Sequence, residues 1–438
     1  MSTSAAEPWR SWKGLLALLS LVLCALLWVN GLLGSLERPS VGNALLLRQQ
    51  ELAVLAEPAL PAPLRQPLLG DNPRDALRQE LARQAAAAQA PLKPEQLLTW
   101  ALLEQAAGHR ALAQQIVSGS PDNGLMAATT GSALQRRLFC EQQGETSRCS
   151  NPLAARNAMV RLLLITVAPA LLMLLGVALL LRQTWLLARH RLMPAAPLQG
   201  PDLTLVDVTL LVAGGFVVLG ELLTPLLVGP WLSGLLAPLA QHNSALQQAA
   251  AVPLLYGALM LGPLVILVLM LRGLASPPAG GWLQWRWRPL LLSLRTAVSV
   301  LLMVLPLVAL SGWLLERLWG DPGGSNPLLE MVLTTPDPTA LLLLASTALL
   351  LAPLFEETLF RGVLLPVLAR RWGSAWGVVL SALCFALAHL SLGELLPLFV
   401  LGLGLGWLRL RSGRLGASVV MHGLWNGLTF ANLLLLAG

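Results

Sequence analysis

The feature that most restricts this chain is the recurrence of long, uncharged apolar runs. They fall at about residues 14–35, 159–181, 205–228, 251–271, 295–315, 339–355, 375–391, 394–410 and 416–436. A helix needs roughly 20 apolar residues to cross a hydrocarbon core of about 30 Å, and most of these runs reach or approach that length. Within lipid every backbone polar group must be satisfied inside the protein, so runs of this kind are expected as helices. The expected fold is an all-α membrane protein with about nine transmembrane helices and a helical extracytoplasmic insertion after the first. Composition agrees: of 438 residues 55% are apolar and only 12% charged, whereas soluble chains carry about a quarter charged residues. These values exclude an ordinary soluble enzyme, a disordered chain and a fibrous repeat.

The chain divides on the same criterion. Residues 1–35 read as an uncleaved signal anchor, because Arg10 and Lys13 precede the run and no small-x-small cleavage site follows it. Residues 36–158 differ in kind, with frequent prolines, 12 basic and 11 acidic residues, and amphipathic stretches such as Arg74–Gln89 and Pro94–Val117. They read as a helical extracytoplasmic domain serving as a spacer or packing unit. Residues 159–289 read as accessory transmembrane helices and 290–438 as the functional core. Cys140 and Cys149 close a polar loop in the insertion; an oxidising compartment would allow them to pair, and the sequence leaves that open. Cys24 and Cys384 lie within apolar runs as small hydrophobes.

The net charge of +7 would suggest nucleic acid in a soluble protein. Here the 36–158 segment is nearly balanced, so the excess belongs to the hydrophobic part. Alternating the spans from a cytoplasmic N-terminus places Arg182, Arg189, Arg191, Arg272, Arg286, Arg288, Arg295, Arg370, Arg371, Arg409, Arg411 and Arg414 inside. With Arg10 and Lys13 these make 14 of the 17 basic residues outside the insertion. The charge therefore records orientation in a bilayer, not a nucleic-acid partner. Lysine occurs only twice, and this Arg-rich usage reads as bacterial, which points to a bacterial plasma membrane.

An ionisable group inside a membrane helix costs at least a few kcal/mol, so each one needs a reason. Asp207 and Glu221, in the third run, read as polar helix-packing contacts. Gly402 and Gly406 give a small-residue face for close helix contact. The dense set lies later: Glu356, Glu357 and Arg361 at the inner end of the sixth run, Phe385 and His389 in the seventh, His422 and Asn426 in the ninth. Glu357 and Arg361 are one helical turn apart and suited to an ion pair, while Glu356 is turned by roughly 100° and free to face elsewhere. Phe385 with His389, and His422 with Asn426, also share helical faces. Three helices can thus surround one polar pocket. There Glu356 can deprotonate a water that His389 orients, while His422 and Asn426 donate to a developing oxyanion. The same atoms permit a zinc reading, with Glu356, His389 and His422 as ligands and Glu357 as base.

The ordered set EExxxR, FxxxH and HxxxN resembles the CAAX-processing and bacteriocin-processing (CPBP, or Abi) family of intramembrane endopeptidases. The resemblance covers about residues 290–436. It implies that Glu356 and His389 activate the water, that His422 and Asn426 stabilise the oxyanion, and that Glu357, Arg361 and Phe385 support the site. It leaves the metal open; no cofactor is favoured, since neither Cys nor Asp joins the set. The expected activity is hydrolysis of a peptide bond in a membrane-associated peptide or protein, as in CAAX prenyl protease 2 type enzymes. Two rival classes are a non-proteolytic membrane scaffold of the same fold and a transporter, and the latter would more often show inverted repeats. Substrate identity and oligomeric state are not encoded in any motif of the chain.

Overall fold

The computed structural model describes residues 11–37, 41–86, 92–118, 132–143, 151–191, 197–320 and 327–437. Among these, every regular element is helical. After α1 (Trp12–Ser35) come α2 (Val41–Ala56), α3 (Ala62–Leu69), α4 (Pro73–Ala86), α5 (Pro94–Ala106), α6 (Arg110–Ser118) and α7 (Ala133–Gln142). The apolar helices follow as α8 (Pro152–Ala188), α9 (Leu205–His242), α10 (Ser244–Arg272) and α11 (Leu290–Trp319). Beyond the short α12 (Pro327–Thr334) lie α13 (Pro338–Trp372), α14 (Ser374–Leu387), α15 (Leu392–Ser412) and α16 (Leu415–Ala437).

All nine apolar runs become helices, and eight of these are long and apolar enough to cross a membrane. The ninth, α14, has 14 residues, or about 21 Å of rise, short of a full crossing. Trp12, Trp185, Trp319, Trp372 and Trp376 are exposed in the first or last turn of their helices, the level at which indole rings favour the membrane–water boundary. The protein is an integral, multi-pass, all-α membrane protein.

Helix ends are set by side-chain caps. Ser11 accepts from Gly14 N, Asn243 from Leu246 N, Asp337 from Thr339 N and Ala340 N, and Ser391 from Glu394 N. Two expectations change here. Asp207 is not a packing contact in the bilayer interior: with Thr204 it forms the capping box that starts α9, which explains an acidic residue at that position. The sixth helix does not end near residue 355 but continues to Trp372 and stops at Gly373, where φ is +85°. Hydropathy drops at Glu356, but the helix runs on through a π-helical turn, Thr358–Leu364, without a terminating cap. The Glu356–Arg361 motif therefore lies in mid-helix.

The chain forms two compact units, residues 1–38 with 172–431 and residues 39–171 with 432–438. In the first, one apolar core joins side chains from α1, α9, α10, α11, α13, α14, α15 and α16. The glycines of α15 make its packing possible. A Cβ on Gly402 would sit 2.9 Å from Ala382 Cβ, one on Gly406 2.9 Å from Val378 Cγ1, and one on Gly404 would collide with Val304 Cγ2. Gly402 and Gly406 thus bring α15 against α14, and Gly404 brings it against α11.

The second unit has its own core of Leu47, Val54, Leu77, Leu81, Leu102, Leu103, Leu134 and Leu138, drawn from α2, α4, α5 and α7. Buried Gln135 ties α7 to α5 by donating to Glu95 O and Thr99 Oγ1. Cys140 is disulfide-bonded. Its expected partner, Cys149, lies outside the described residues, as does Arg10.

Candidate active site

The site is built on α13. Glu357 and Arg361 stand one turn apart, and Arg361 Nη1 donates to Glu357 Oε1 at 2.8 Å with both side chains fully buried. The same carboxylate oxygen takes His422 Nδ1 from α16 at 3.0 Å. Arg361 Nη2 reaches α15 by donating to Gly402 O at 3.2 Å. Its guanidinium carbon lies 4.3 Å from the centroid of the Phe385 ring, so the phenylalanine of the FxxxH motif acts as a π-face for the buried cation. Packing of α15 on α14 through glycine is what lets one arginine touch both helices.

Glu356, turned away from this pair as the helical rotation requires, has a different neighbourhood. Its Oε1 accepts from Tyr256 Oη on α10 at 3.2 Å. Its Oε2 is buried, has no hydrogen-bond partner among the described residues, and lies 3.8 Å from His422 Nε2. That separation is too long for a direct hydrogen bond. His422 therefore stands between the two carboxylates, bonded to Glu357 through Nδ1 and presenting Nε2 on the side of Glu356.

His389 lies in the turn after α14, and its Nδ1 bonds the carbonyl of Phe385 at 2.8 Å. A carbonyl only accepts, so Nδ1 carries hydrogen and Nε2 is the acceptor in the neutral ring. The His389 and His422 rings both pack against Phe385, with centroids 4.8 and 5.6 Å away. No carboxylate lies within ion-pair distance of His389 among the described residues. Asn426 is joined to α13 instead of to its neighbour His422: its Nδ2 donates to Ala348 O at 2.7 Å. Ala348 belongs to a π-helical turn, Thr347–Leu351, and a second such turn, Thr358–Leu364, offers Phe360 O to Ser381 Oγ at 2.9 Å. Such turns shift the backbone hydrogen bonds by one residue and recur at functional sites.

Aromatic contacts run through the site without a break. Tyr256 meets Phe355, Phe355 meets Phe216, Phe216 meets Phe360, and Phe360 meets Phe385. Four of the seven phenylalanines and the sole tyrosine are used here. Sequence reasoning did not single out Tyr256, Phe216 or Phe360. The signal for Tyr256 was available: it is the one tyrosine of the chain and places a hydroxyl inside an apolar run.

Among the described residues no three His, Cys, Asp or Glu side chains are grouped to hold a metal ion. Glu356 and His422 face one another, but His389 does not complete a ligand set with them.

Residues 338–428, which contain every motif position named above, match the family described as type II CAAX prenyl endopeptidase Rce1-like. These helices belong to the CAAX-processing endopeptidase family. Residues 42–160 match a separate domain family of unknown function, DUF8675. An uncharacterized 24.3 kDa protein of Escherichia coli is 42% identical over 81 residues, covering 17% of this chain and 37% of that protein. No solved structure matches the chain.

Proposed function

We propose that this site hydrolyses a peptide bond of a membrane-associated peptide or protein by general-base attack of water. The observation that carries the reading is Glu356 Oε2: a buried carboxylate oxygen without a hydrogen-bond partner among the described residues, opposite His422 Nε2. Leaving such an acceptor unsatisfied costs about 1–3 kcal/mol, which a fold retains where the atom has work to do.

Glu356 takes a proton from water as the oxygen attacks the scissile carbonyl. His389, with Nδ1 fixed on Phe385 O, accepts through Nε2 and orients that water. Charge develops on the carbonyl oxygen, and His422 and Asn426 are the donors for it. In the imidazolium form His422 donates from Nδ1 to Glu357 and from Nε2 to the oxyanion. With Glu356 protonated, Glu357 and the oxyanion are matched by Arg361 and the imidazolium, so the buried cluster carries no net charge. Asn426 has two amide hydrogens, and one remains after the bond to Ala348 O. Collapse of the tetrahedral intermediate returns the proton from Glu356 to the leaving amine.

The distribution of arginines supports an N-terminus in the cytoplasm, residues 36–158 on the other side, and a bacterial plasma membrane as the location. The test is cleavage of a quenched fluorescent transmembrane peptide by purified protein. Glu356→Ala and His389→Ala should each lower turnover by about a hundredfold or more with unchanged folded yield. Wild-type turnover in Glu356→Ala would overturn the assignment.

A further inference from the structure

We propose that Tyr256 is a positioning residue of this site: its hydroxyl, donating to Glu356 Oε1, fixes the carboxylate with Oε2 turned toward the reacting water. The inference deepens the reading of Glu356 as general base and rests on it.

The two carboxylates are held differently. Glu357 receives Arg361 and His422 on one oxygen. Glu356 has a single hydrogen bond among the described residues, the one from Tyr256 at 3.2 Å. The terminal torsion of a glutamate is broad, so a carboxylate without donors samples many orientations. One donor on Oε1 removes that freedom and selects which oxygen faces His422. Orientation of a reacting group is where an enzyme gains rate at little cost in binding.

Packing alone does not account for a tyrosine here. The ring meets Phe355 edge-to-face, with centroids 6.4 Å apart and planes at 82°. A phenylalanine would make the same contact without placing a hydroxyl in an apolar helix, where a buried O–H needs a partner. The chain uses tyrosine nowhere else in 438 residues. Tyr256 also lies outside residues 338–428, so the donor comes from α10, a helix that the family match does not include.

The single tyrosine makes the test direct. Protein labelled with 13Cζ-tyrosine has one resonance, which needs no assignment. Glu356→Gln should shift it, because a neutral amide is a weaker acceptor than a carboxylate; Glu357→Gln should leave it nearly in place. With the quenched transmembrane peptide as probe, Tyr256→Phe should fold to wild-type yield and lose roughly tenfold or more in kcat while KM is unchanged. A purely structural tyrosine would change yield or both constants together. In a Glu356→Gln background, Tyr256→Phe should cause no further loss, since it acts through the missing carboxylate. A resonance that ignores Glu356→Gln, or wild-type kcat in Tyr256→Phe, overturns the proposal. Wild-type turnover in Glu356→Ala would instead remove the general-base reading, and with it this inference, even where the resonance still reports the contact.

Discussion

Each of the two compact units holds a buried glutamate bonded to an arginine and a histidine, and the two clusters are built to different ends. In the second unit, Glu104 Oε2 bonds His109 Nδ1 at 2.6 Å and lies 3.4 Å from Arg78 Nη1, while Oε1 accepts from Trp100 Nε1 at 3.0 Å. Both oxygens are used, and the histidine is 53% exposed. In the first unit, Glu357 Oε1 takes both Arg361 and His422, and Glu357 Oε2, Glu356 Oε2 and Arg361 Nε have no partner among the described residues. Arg361 is fully buried and His422 is 3% exposed. Arg78 Nε, like Arg361 Nε, is unpartnered among the described residues, so the contrast lies in the carboxylates: Glu104 uses both oxygens where water can reach, whereas Glu356 and Glu357 each keep one oxygen unsatisfied where it cannot. Folding stability alone favours the first arrangement. The second is expected where polar atoms are held ready for a substrate.

The comparison yields graded predictions. Removing the cation of the membrane cluster should have the largest effect: Arg361→Leu leaves Glu357 buried beside a second carboxylate, at a cost of about 3–5 kcal/mol. Thermal unfolding in detergent should show it as a large drop in Tm or as loss of folded protein, and a near-native Tm would mean that the cluster is wetter than described. Next comes Gly404→Ala, whose new methyl group collides with Val304 and should cost about 1–3 kcal/mol by the same measurement. The matching deletion in the second unit should be milder. Arg78→Gln leaves Glu104 bonded to His109 and Trp100 and should cost about 1 kcal/mol or less, read as reduced hydrogen-exchange protection of α5.

The smallest effect is one of pH. Burial pushes the Glu104 carboxyl up, but hydrogen bonds from His109 and Trp100 and the Arg78 charge outweigh it and hold the group below the usual carboxylate range. A carboxyl lowered by folding contributes stability that is complete above its unfolded value and is lost as pH falls through the folded one. Protection of α5 should therefore decline with acidification below about pH 5, and His109→Gln should flatten that decline. Protection that rises on acidification would reverse the sign of the argument.

Much of this was readable in the chain, for a local reason. Run length and lack of charge determine that nine segments are helical, and the i, i+4 interval determines that Glu357 meets Arg361 and that Phe385 lies beneath His389. Glycine spacing determines that α15 approaches its neighbours closely. What was misread was also local but weaker. A fall in hydropathy at Glu356 looks like the end of a span, yet a helix stops at a cap or a positive-φ glycine, and the first of these is Gly373. Asp207 looks like a buried charge until Thr204, three residues earlier, shows it to be the N3 member of a capping box.

Only the tertiary structure decided which partner each polar group takes across distances of 65 to 100 residues along the chain. His422 could have faced either carboxylate; it bonds one and stands 3.8 Å from the other. Asn426 shares a helical face with His422 in sequence, but its amide is drawn to Ala348 on α13. Tyr256 lies about 100 positions from Glu356 and has no periodic relation to it. Periodicity governs neighbours on one helix because 3.6 residues make a turn whatever surrounds them. Contacts between helices depend on how side chains interdigitate, and that is settled only when the bundle packs.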